Sequence, residues 1–279
     1  MAGYARAISL LLASAASAET GLHHVHLNAV DPAAAVKFYT SRFDCEQALY
    51  RGEPAVWAQK SWLLFHKVDA GPPRETDSAI WHIGWGAEDM PAEYRRQTAM
   101  GTPFHTPLTD ISSLANSPGF FYAYVDGPDH ALIELNTARH HHFGHLHLFS
   151  ADPPAAARWY AKHFGIAPRM PRSTEPRFYR GLQVGPSASF TIGNVNVIIF
   201  PGRYRGHDRY QSTRGTVFDH IALSVDSLAA ALHSLASGGV RPWQGTTMVE
   251  GPDKVAIEII EGHEAKPVER AGRRPARRP

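Results

Sequence analysis

Histidine is the residue type best able to do chemistry in this chain of 279 residues, which contains 17 copies of it. Imidazole is the commonest metal ligand in proteins, and it also moves protons near neutral pH. Four histidines share one setting, because each lies in an apolar run six or seven residues before an aspartate. They are His24, His82, His145 and His220. Their recurring position predicts a recurring site.

Two glutamates, Glu134 and Glu258, interrupt the apolar segments 131–135 and 255–259. Burying a carboxylate among apolar residues is costly unless its charge is compensated, and a metal cation is the simplest compensation. Each half of the chain therefore offers two histidines and one glutamate. We predict one metal site from His24, His82 and Glu134, and a second from His145, His220 and Glu258.

Two further histidines, His26 and His147, each follow a predicted ligand by two residues. Residues two apart in a strand point to the same face of the sheet, so both side chains should project toward the metal sites. We predict that they serve as acid-base groups or as extra ligands. The structural alternative for each is a hydrogen-bonded histidine of the core.

These residues recur because the sequence itself repeats. Residues 24–39 return as residues 145–160, with both histidines, the Asp-Pro pair and the tyrosine in register. A repeat this long indicates two duplicated halves rather than a solenoid. Each half contains two strand-helix-strands units, and we expect the first unit to pair with the second and the third with the fourth. Asp31 and Asp152 are predicted helix N-caps, each followed by proline in the first turn.

Composition and charge narrow the classes of function. The net charge is +2, and without the five arginines of the last ten residues it would be about −3, so no nucleic-acid surface is expected. The single cysteine, Cys45, excludes an intrachain disulfide. Residues 1–18 have the features of a signal peptide, which predicts export to the periplasm or the medium. Residues 263–279 are expected to form a disordered basic tail, and no other stretch reaches the ~20 apolar residues of a membrane span.

The chain resembles the vicinal oxygen chelate superfamily, which includes glyoxalase I, extradiol dioxygenases and the fosfomycin- and bleomycin-resistance proteins. The resemblance covers about residues 21–262, and three motifs carry it: His24-Val25-His26-Leu27 with its Asp-Pro and Phe-Tyr, residues 218–226, and residues 126–135. It implies an α+β fold of four βαβββ modules that pair into two cup-shaped half-barrel domains, here residues 21–138 and 143–262. Each functional cup is implied to surround one divalent metal.

The predicted ligand sets and their departures from the subfamilies bear on the metal and the reaction. Two histidines and one carboxylate leave coordination positions open, which favours Fe(II) or Mn(II), with Zn(II) or Ni(II) also compatible. Glyoxalase I adds a glutamate ligand, but Leu64 and Ile198 occupy the matching positions. Extradiol dioxygenases need an acid-base histidine and a late tyrosine; Asn196 and Met248 stand near those positions in the second half, whereas Tyr124 matches the tyrosine in the first. The candidate catalytic residues are His26, Tyr124 and His147.

We predict a metal-dependent enzyme that acts on a small substrate chelating the metal through two oxygens, with dioxygenase-, lyase- or isomerase-like chemistry. The alternative is a non-catalytic protein that sequesters a small molecule, as bleomycin-resistance proteins do. Such binders usually lose their buried histidine and glutamate ligands, so retained ligands favour the enzyme. Neither hypothesis needs a nucleic-acid or membrane partner, and the chain is expected to be a monomer or a homodimer.

Overall fold

The structure is a computed structural model that describes residues 20–74, 77–202 and 210–262. The predicted signal peptide and basic tail lie outside these ranges. Within them, no helix combines the length and apolar character needed to cross a membrane.

Four modules follow one another, and each opens with a strand that leads into a helix. The first module contains β1 (Gly21–Ala29), α1 (Pro32–Arg42), β2 (Glu46–Tyr50), β3 (Glu53–Ala58) and β4 (Ser61–Lys67). The second contains β5 (Ile80–Ala87), α2 (Met90–Ala99), β6 (Phe104–Asp110), α3 (Ser112–Ala115), β7 (Phe121–Asp126) and β8 (Leu132–Thr137). The third contains β9 (Phe143–Ser150), α4 (Pro153–Phe164), β10 (Pro168–Arg169), β11 (Arg177–Tyr179), β12 (Leu182–Gly185), β13 (Ala188–Ile192) and β14 (Val195–Pro201). The fourth contains β15 (Phe218–Val225), α5 (Leu228–Ser237), β16 (Met248–Glu250) and β17 (Ala256–Glu261).

The two Asp-Pro pairs start helices, as their sequence predicts. The Asp31 carboxylate accepts a hydrogen bond from the Ala34 backbone N–H at 3.0 Å, and Asp152 accepts one from Ala155 at 2.9 Å. Each bond satisfies a backbone donor that has no partner within the first helical turn. The two aspartates are therefore the N-caps at which α1 and α4 begin.

Two large sheets form the α+β fold, which confirms the predicted fold class. The seven-stranded sheet has the order β16-β17-β15-β1-β4-β3-β2, and the eight-stranded sheet has the order β10-β13-β14-β9-β5-β8-β7-β6. The first sheet thus joins modules one and four, and the second joins modules two and three. The expected pairing of modules within each half is wrong.

The opening strands explain this arrangement. β1 pairs antiparallel with β15, and β5 pairs antiparallel with β9. Only residues 138–142 separate β8 from β9, so the third module must begin beside the second. The longer connection at residues 68–79 allows the second module to pack in a different sheet from the first. Connection length, rather than the strand pattern, therefore selects the partners.

One hydrophobic core joins the two halves of the chain. Trp85 on β5 stacks on Phe43 of α1, with ring centroids 4.7 Å apart, and its ring lies 5.2 Å from Phe143 of β9. Side chains alternate along a strand, so the neighbours of Trp85 and Leu135, which are Gly84 and Glu134, face the other side of the sheet. That other side carries the polar residues predicted to bind metal.

Candidate metal centres

A row of paired residues crosses four strands of the eight-stranded sheet. Tyr124 on β7 pairs with Glu134 on β8, Glu134 pairs with Gly84 on β5, and Gly84 pairs with His145 on β9. Paired residues share a face of the sheet, and His82 lies two residues before Gly84 on that face. We call His82, Glu134 and His145 site I.

The ligand atoms of site I converge. His82 Nε2 lies 3.0 Å from Glu134 Oε2, and His145 Nε2 lies 3.8 Å from Glu134 Oε1. The ligand atoms of all three residues lie within 4.8 Å of one another. All three side chains are buried, and His82 is fully inaccessible to solvent.

Buried nitrogens of site I lack hydrogen-bond partners. His82 Nδ1 and His145 Nε2 have no partner among the residues that the structure describes, whereas His82 Nε2 has the Glu134 carboxylate 3.0 Å away. Leaving a buried polar atom unpaired costs about 1–3 kcal/mol, and native folds keep few such atoms. A cation between the two Nε2 atoms and Glu134 would use their lone pairs. The donor set therefore fits a divalent metal.

The charges in site I also suit a cation. Burial raises the pKa of Glu134, but the imidazoles of His145 and His82 and a hydrogen bond from Tyr124 outweigh it, so the pKa lies below its usual range. Burial lowers the pKa of His145 to about 4. Glu134 is therefore ionised and His145 is neutral at pH 7, the forms that bind metal.

His147 lies beside site I on the same strand as His145. Its ring centroid is 4.8 Å from that of His82 and 5.0 Å from that of Trp81. Both ring nitrogens are buried, and neither has a hydrogen-bond partner in the described part of the chain. The alternative of a hydrogen-bonded core histidine therefore does not describe His147. Burial lowers the pKa of His147 well below its usual value, so the ring is neutral.

The equivalent row crosses the seven-stranded sheet. Met248 on β16 pairs with Glu258 on β17, Glu258 pairs with Ala222 on β15, and Ala222 pairs with His24 on β1. His220 lies two residues before Ala222, as His82 lies two before Gly84. We call His24, His220 and Glu258 site II.

The ligand atoms of site II lie close together. The Nε2 atoms of His24 and His220 are 3.2 Å apart, and Glu258 Oε2 lies 3.4 Å from the first and 3.5 Å from the second. His26 belongs to the same group, with a ligand nitrogen within 4.8 Å of those of His24 and His220. Site II is more open than site I, because the Glu258 side chain keeps 31% of its accessible surface.

The pKa values of the histidines in site II are shifted in different directions. Burial lowers the pKa of His24 well below its usual value and that of His26 to about 4. Burial also lowers the pKa of His220, but hydrogen bonds to Asp219 and Glu258 outweigh it, so that pKa is raised. The hydrogen bond with His220 in turn holds the pKa of Glu258 below its usual range, against the effect of burial.

The six predicted ligands all reach a candidate site, but in other combinations than predicted. His82 and Glu134 meet His145 instead of His24, and His220 and Glu258 meet His24 instead of His145. Each site therefore takes ligands from both halves of the chain, because each sheet does. The candidate catalytic residues follow the same rule, since His147 and Tyr124 adjoin site I while His26 adjoins site II.

Three further residues shape the sites without having been predicted. Asp219 Oδ1 lies 2.6 Å from His220 Nδ1, and His23 Nδ1 lies 2.9 Å from His24 Nδ1. Gly84 leaves room for the His145 ring, which occupies the space that a Cβ atom would fill. Two of the three carried a signal: Asp219 is a carboxylate in an apolar strand, and a glycine inside a strand, such as Gly84, often marks a close approach.

Comparisons with known proteins agree with the fold. Glyoxalase I from Zea mays is 11% identical, with a TM-score of 0.65 over 88% of this chain and 93% of that one. A putative dioxygenase from Bacillus subtilis subsp. subtilis str. 168 is 13% identical, with a TM-score of 0.60 over 87% of this chain and 86% of that one. A comparison with curated protein sequences gives no significant match.

A family model covers most of the chain, once in each half. It matches residues 21–135 and again residues 142–259. The two matches fall on modules one and two and on modules three and four, so the duplication seen in the sequence is a duplication of the family unit. The chain belongs to the Glyoxalase/Bleomycin resistance protein/Dioxygenase superfamily.

Proposed function

We propose that the chain is a divalent-metal-dependent enzyme that binds a small substrate through two neighbouring oxygens. The observation that supports this most is the convergence of two buried imidazoles on one buried carboxylate in site I. His82 Nε2 and His145 Nε2 flank an ionised Glu134, and His145 Nε2 has no hydrogen-bond partner among the described residues. A fold keeps such an arrangement at a cost in stability, which binding of a cation would offset.

The ligands favour a metal with open coordination positions. Site I offers two imidazoles and one carboxylate, and site II offers the same set with His26 beside it. This combination favours Fe(II) or Mn(II), with Zn(II) or Ni(II) as alternatives. When bound, such a cation supplies Lewis-acid stabilisation of negative charge on the substrate oxygens.

The neighbouring side chains provide the proton transfer. His147 is buried and neutral, with unpaired nitrogens next to site I, so one nitrogen can accept a proton from a bound substrate and return it later. His26 has the corresponding position next to site II. The Tyr124 hydroxyl donates a hydrogen bond to Glu134, which orients that carboxylate and keeps the phenol beside the substrate.

A cavity that shares Tyr124 with the surroundings of site I is a candidate space for a substrate. Its volume is about 210 Å³, below the ~300 Å³ lower bound of typical ligand pockets. Trp81, Tyr124 and Phe149 line it, and so do the polar side chains of Arg74 and His105. Aromatic walls with polar groups at the margin favour a small, partly planar molecule with an anionic or hydroxyl substituent.

Metal analysis tests whether the chain binds a divalent metal at the two sites. The protein is stripped with a chelator, reloaded anaerobically with Fe(II) or Mn(II), and dialysed. We expect about one equivalent per site, and we expect His82→Ala and His220→Ala each to remove one of them. His233→Gln, an exposed change on α5, serves as the control and should retain both. If the unmodified chain binds no metal, the proposal fails.

Turnover measurements test whether the metal-loaded protein is an enzyme. The metal-loaded protein is screened with catechols, by oxygen uptake, and with other substrates that carry two adjacent oxygens. We expect His147→Gln to keep the metal of site I and to lower turnover there at least ~100-fold, because it removes the proton acceptor. Tight binding of these compounds without any turnover would instead support the sequestering alternative.

A further inference from the structure

The Asp219 carboxylate, directly before His220 on β15, is buried and fully hydrogen bonded. Its Oδ1 accepts from His220 Nδ1 at 2.6 Å and from Arg214 Nη1 at 2.6 Å. Its Oδ2 accepts from the Gly215 backbone N–H at 2.8 Å and from Asn28 Nδ2 at 3.3 Å. A carboxylate has about four lone-pair positions, and these four donors occupy them. Asp219 therefore has no capacity left for a ligand of its own.

The hydrogen bond from His220 shows which nitrogen of that ring holds a proton against Asp219. An ionised carboxylate only accepts hydrogen bonds, so His220 Nδ1 must carry the proton. The other nitrogen, Nε2, faces the site and lies 3.2 Å from His24 Nε2 and 3.5 Å from Glu258 Oε2. The bond to Asp219 thus orients the ring with Nε2 toward the other residues of site II, and Nε2 is the nitrogen that would give up its proton to a bound cation.

Asp219 is itself held from two directions. Asn28, at the end of β1, also donates to the backbone oxygen of Thr216 at 2.8 Å, which ties the first module to the loop before β15. The Thr213 hydroxyl donates to the backbone oxygen of Asp219 at 2.8 Å. The carboxylate is therefore anchored by both modules of the sheet, so it can impose a direction on the imidazole.

Site I has no equivalent of this anchor. Trp81 precedes His82, and its ring stacks on Phe149 with centroids 4.7 Å apart. In the part of the chain that the structure describes, His82 Nδ1 has no hydrogen-bond partner. The two modules thus differ at the residue before the ligand histidine, and within the described ranges a carboxylate lies behind His220 but not behind His82.

We propose that Asp219 is a positioning residue that sets His220 Nε2 for a divalent cation in site II. This inference rests on the proposed function, because it presupposes that site II binds metal. A carboxylate behind a ligating histidine typically contributes about 10- to 100-fold in metal affinity. Asp219→Asn should therefore weaken metal binding at site II by about 10- to 100-fold and leave site I unchanged.

Titration with Mn(II) tests this inference in the chelator-stripped full-length chain. The His145→Ala background removes site I, so a single binding event is read by calorimetry and by the EPR signal of free Mn(II). We expect Asp219→Asn to weaken that event and Asp44→Asn, an exposed carboxylate elsewhere, to leave it unchanged. Unchanged affinity in Asp219→Asn, with metal binding intact, would overturn this inference alone. Absence of binding in the unmodified chain would overturn the proposed function as well.

A second measurement does not depend on how the variant folds. Nitrogen-15 NMR of the histidine rings in the metal-free, unsubstituted chain reports which nitrogen of His220 carries the proton. We expect the proton on Nδ1. A His220 ring protonated only on Nε2 would contradict the role of Asp219 whatever the variant does.

Discussion

Gly84→Ala is expected to remove the metal from site I without changing any ligand or any charge. Gly84 pairs with His145 across β5 and β9, and a Cβ atom at this position would overlap the His145 ring at Nε2 and Cε1. The ring must then move away, which takes Nε2 from its position near Glu134. Interiors are close-packed, and forced displacement of a buried side chain typically costs about 1–3 kcal/mol. We expect site I to bind metal at least ~100-fold more weakly.

The equivalent position in the other sheet provides the matched control. Ala222 pairs with both His24 and Glu258, as Gly84 pairs with His145 and Glu134. Ala222→Gly removes a methyl group and creates no overlap, so both sites should keep their metal. Calorimetry and elemental analysis of the two variants give the comparison. Full metal content at normal affinity in Gly84→Ala would mean that the His145 ring is not a ligand.

The metal-free protein is expected to lose stability steeply as the pH falls from about 6.5 to 4. Burial lowers the pKa of His26 and of His145 to about 4 each, and also lowers those of His24 and His147. An exposed histidine in the unfolded chain titrates near 6.5, so the unfolded state binds more protons in this range. Stability contributed by neutral rings is therefore complete above pH 6.5 and is lost below it.

The size of this effect follows from the two pKa values near 4. Each such ring accounts for a loss of about 2 kcal/mol in the free energy of unfolding between pH 7 and pH 5. His220 has a raised pKa, so its contribution has the opposite sign and is retained at low pH. Urea unfolding with a chelator present measures the dependence. His145→Gln should remove part of it, and stability that stays level from pH 7 to 5 would contradict the burial of neutral histidines.

The types of the site residues could be predicted from the sequence, but their grouping could not. All six predicted ligands lie in the two sites, because histidines in opening strands and glutamates in apolar strands are costly to bury unless they meet a partner. His24 and His145 occur in nearly identical strands, and either strand could pair with β5. The choice of β9 depends on the short connection at residues 138–142, and a repeat pattern carries no information on that choice.

The residues that hold the ligand histidines in place were harder to predict. Asp219 is visible in the sequence as a carboxylate beside His220, yet its four donors come from β1, from β15 and from the loop before β15, which only the fold brings together. Gly84 is one of 23 glycines, and its importance depends on which strand lies opposite. These residues could not be identified from the sequence because their roles depend on contacts between distant segments of the chain.

The metal content of two double variants tests most directly whether each site takes ligands from both halves. His82→Ala combined with His145→Ala removes two ligands of site I only, so one equivalent of metal should remain. His82→Ala combined with His24→Ala removes a ligand from each site, so no tightly bound metal should remain. Elemental analysis after reloading and dialysis gives both numbers. The reverse result, with no metal in the first variant and one equivalent in the second, would contradict the cross-half sites and restore a site within each half.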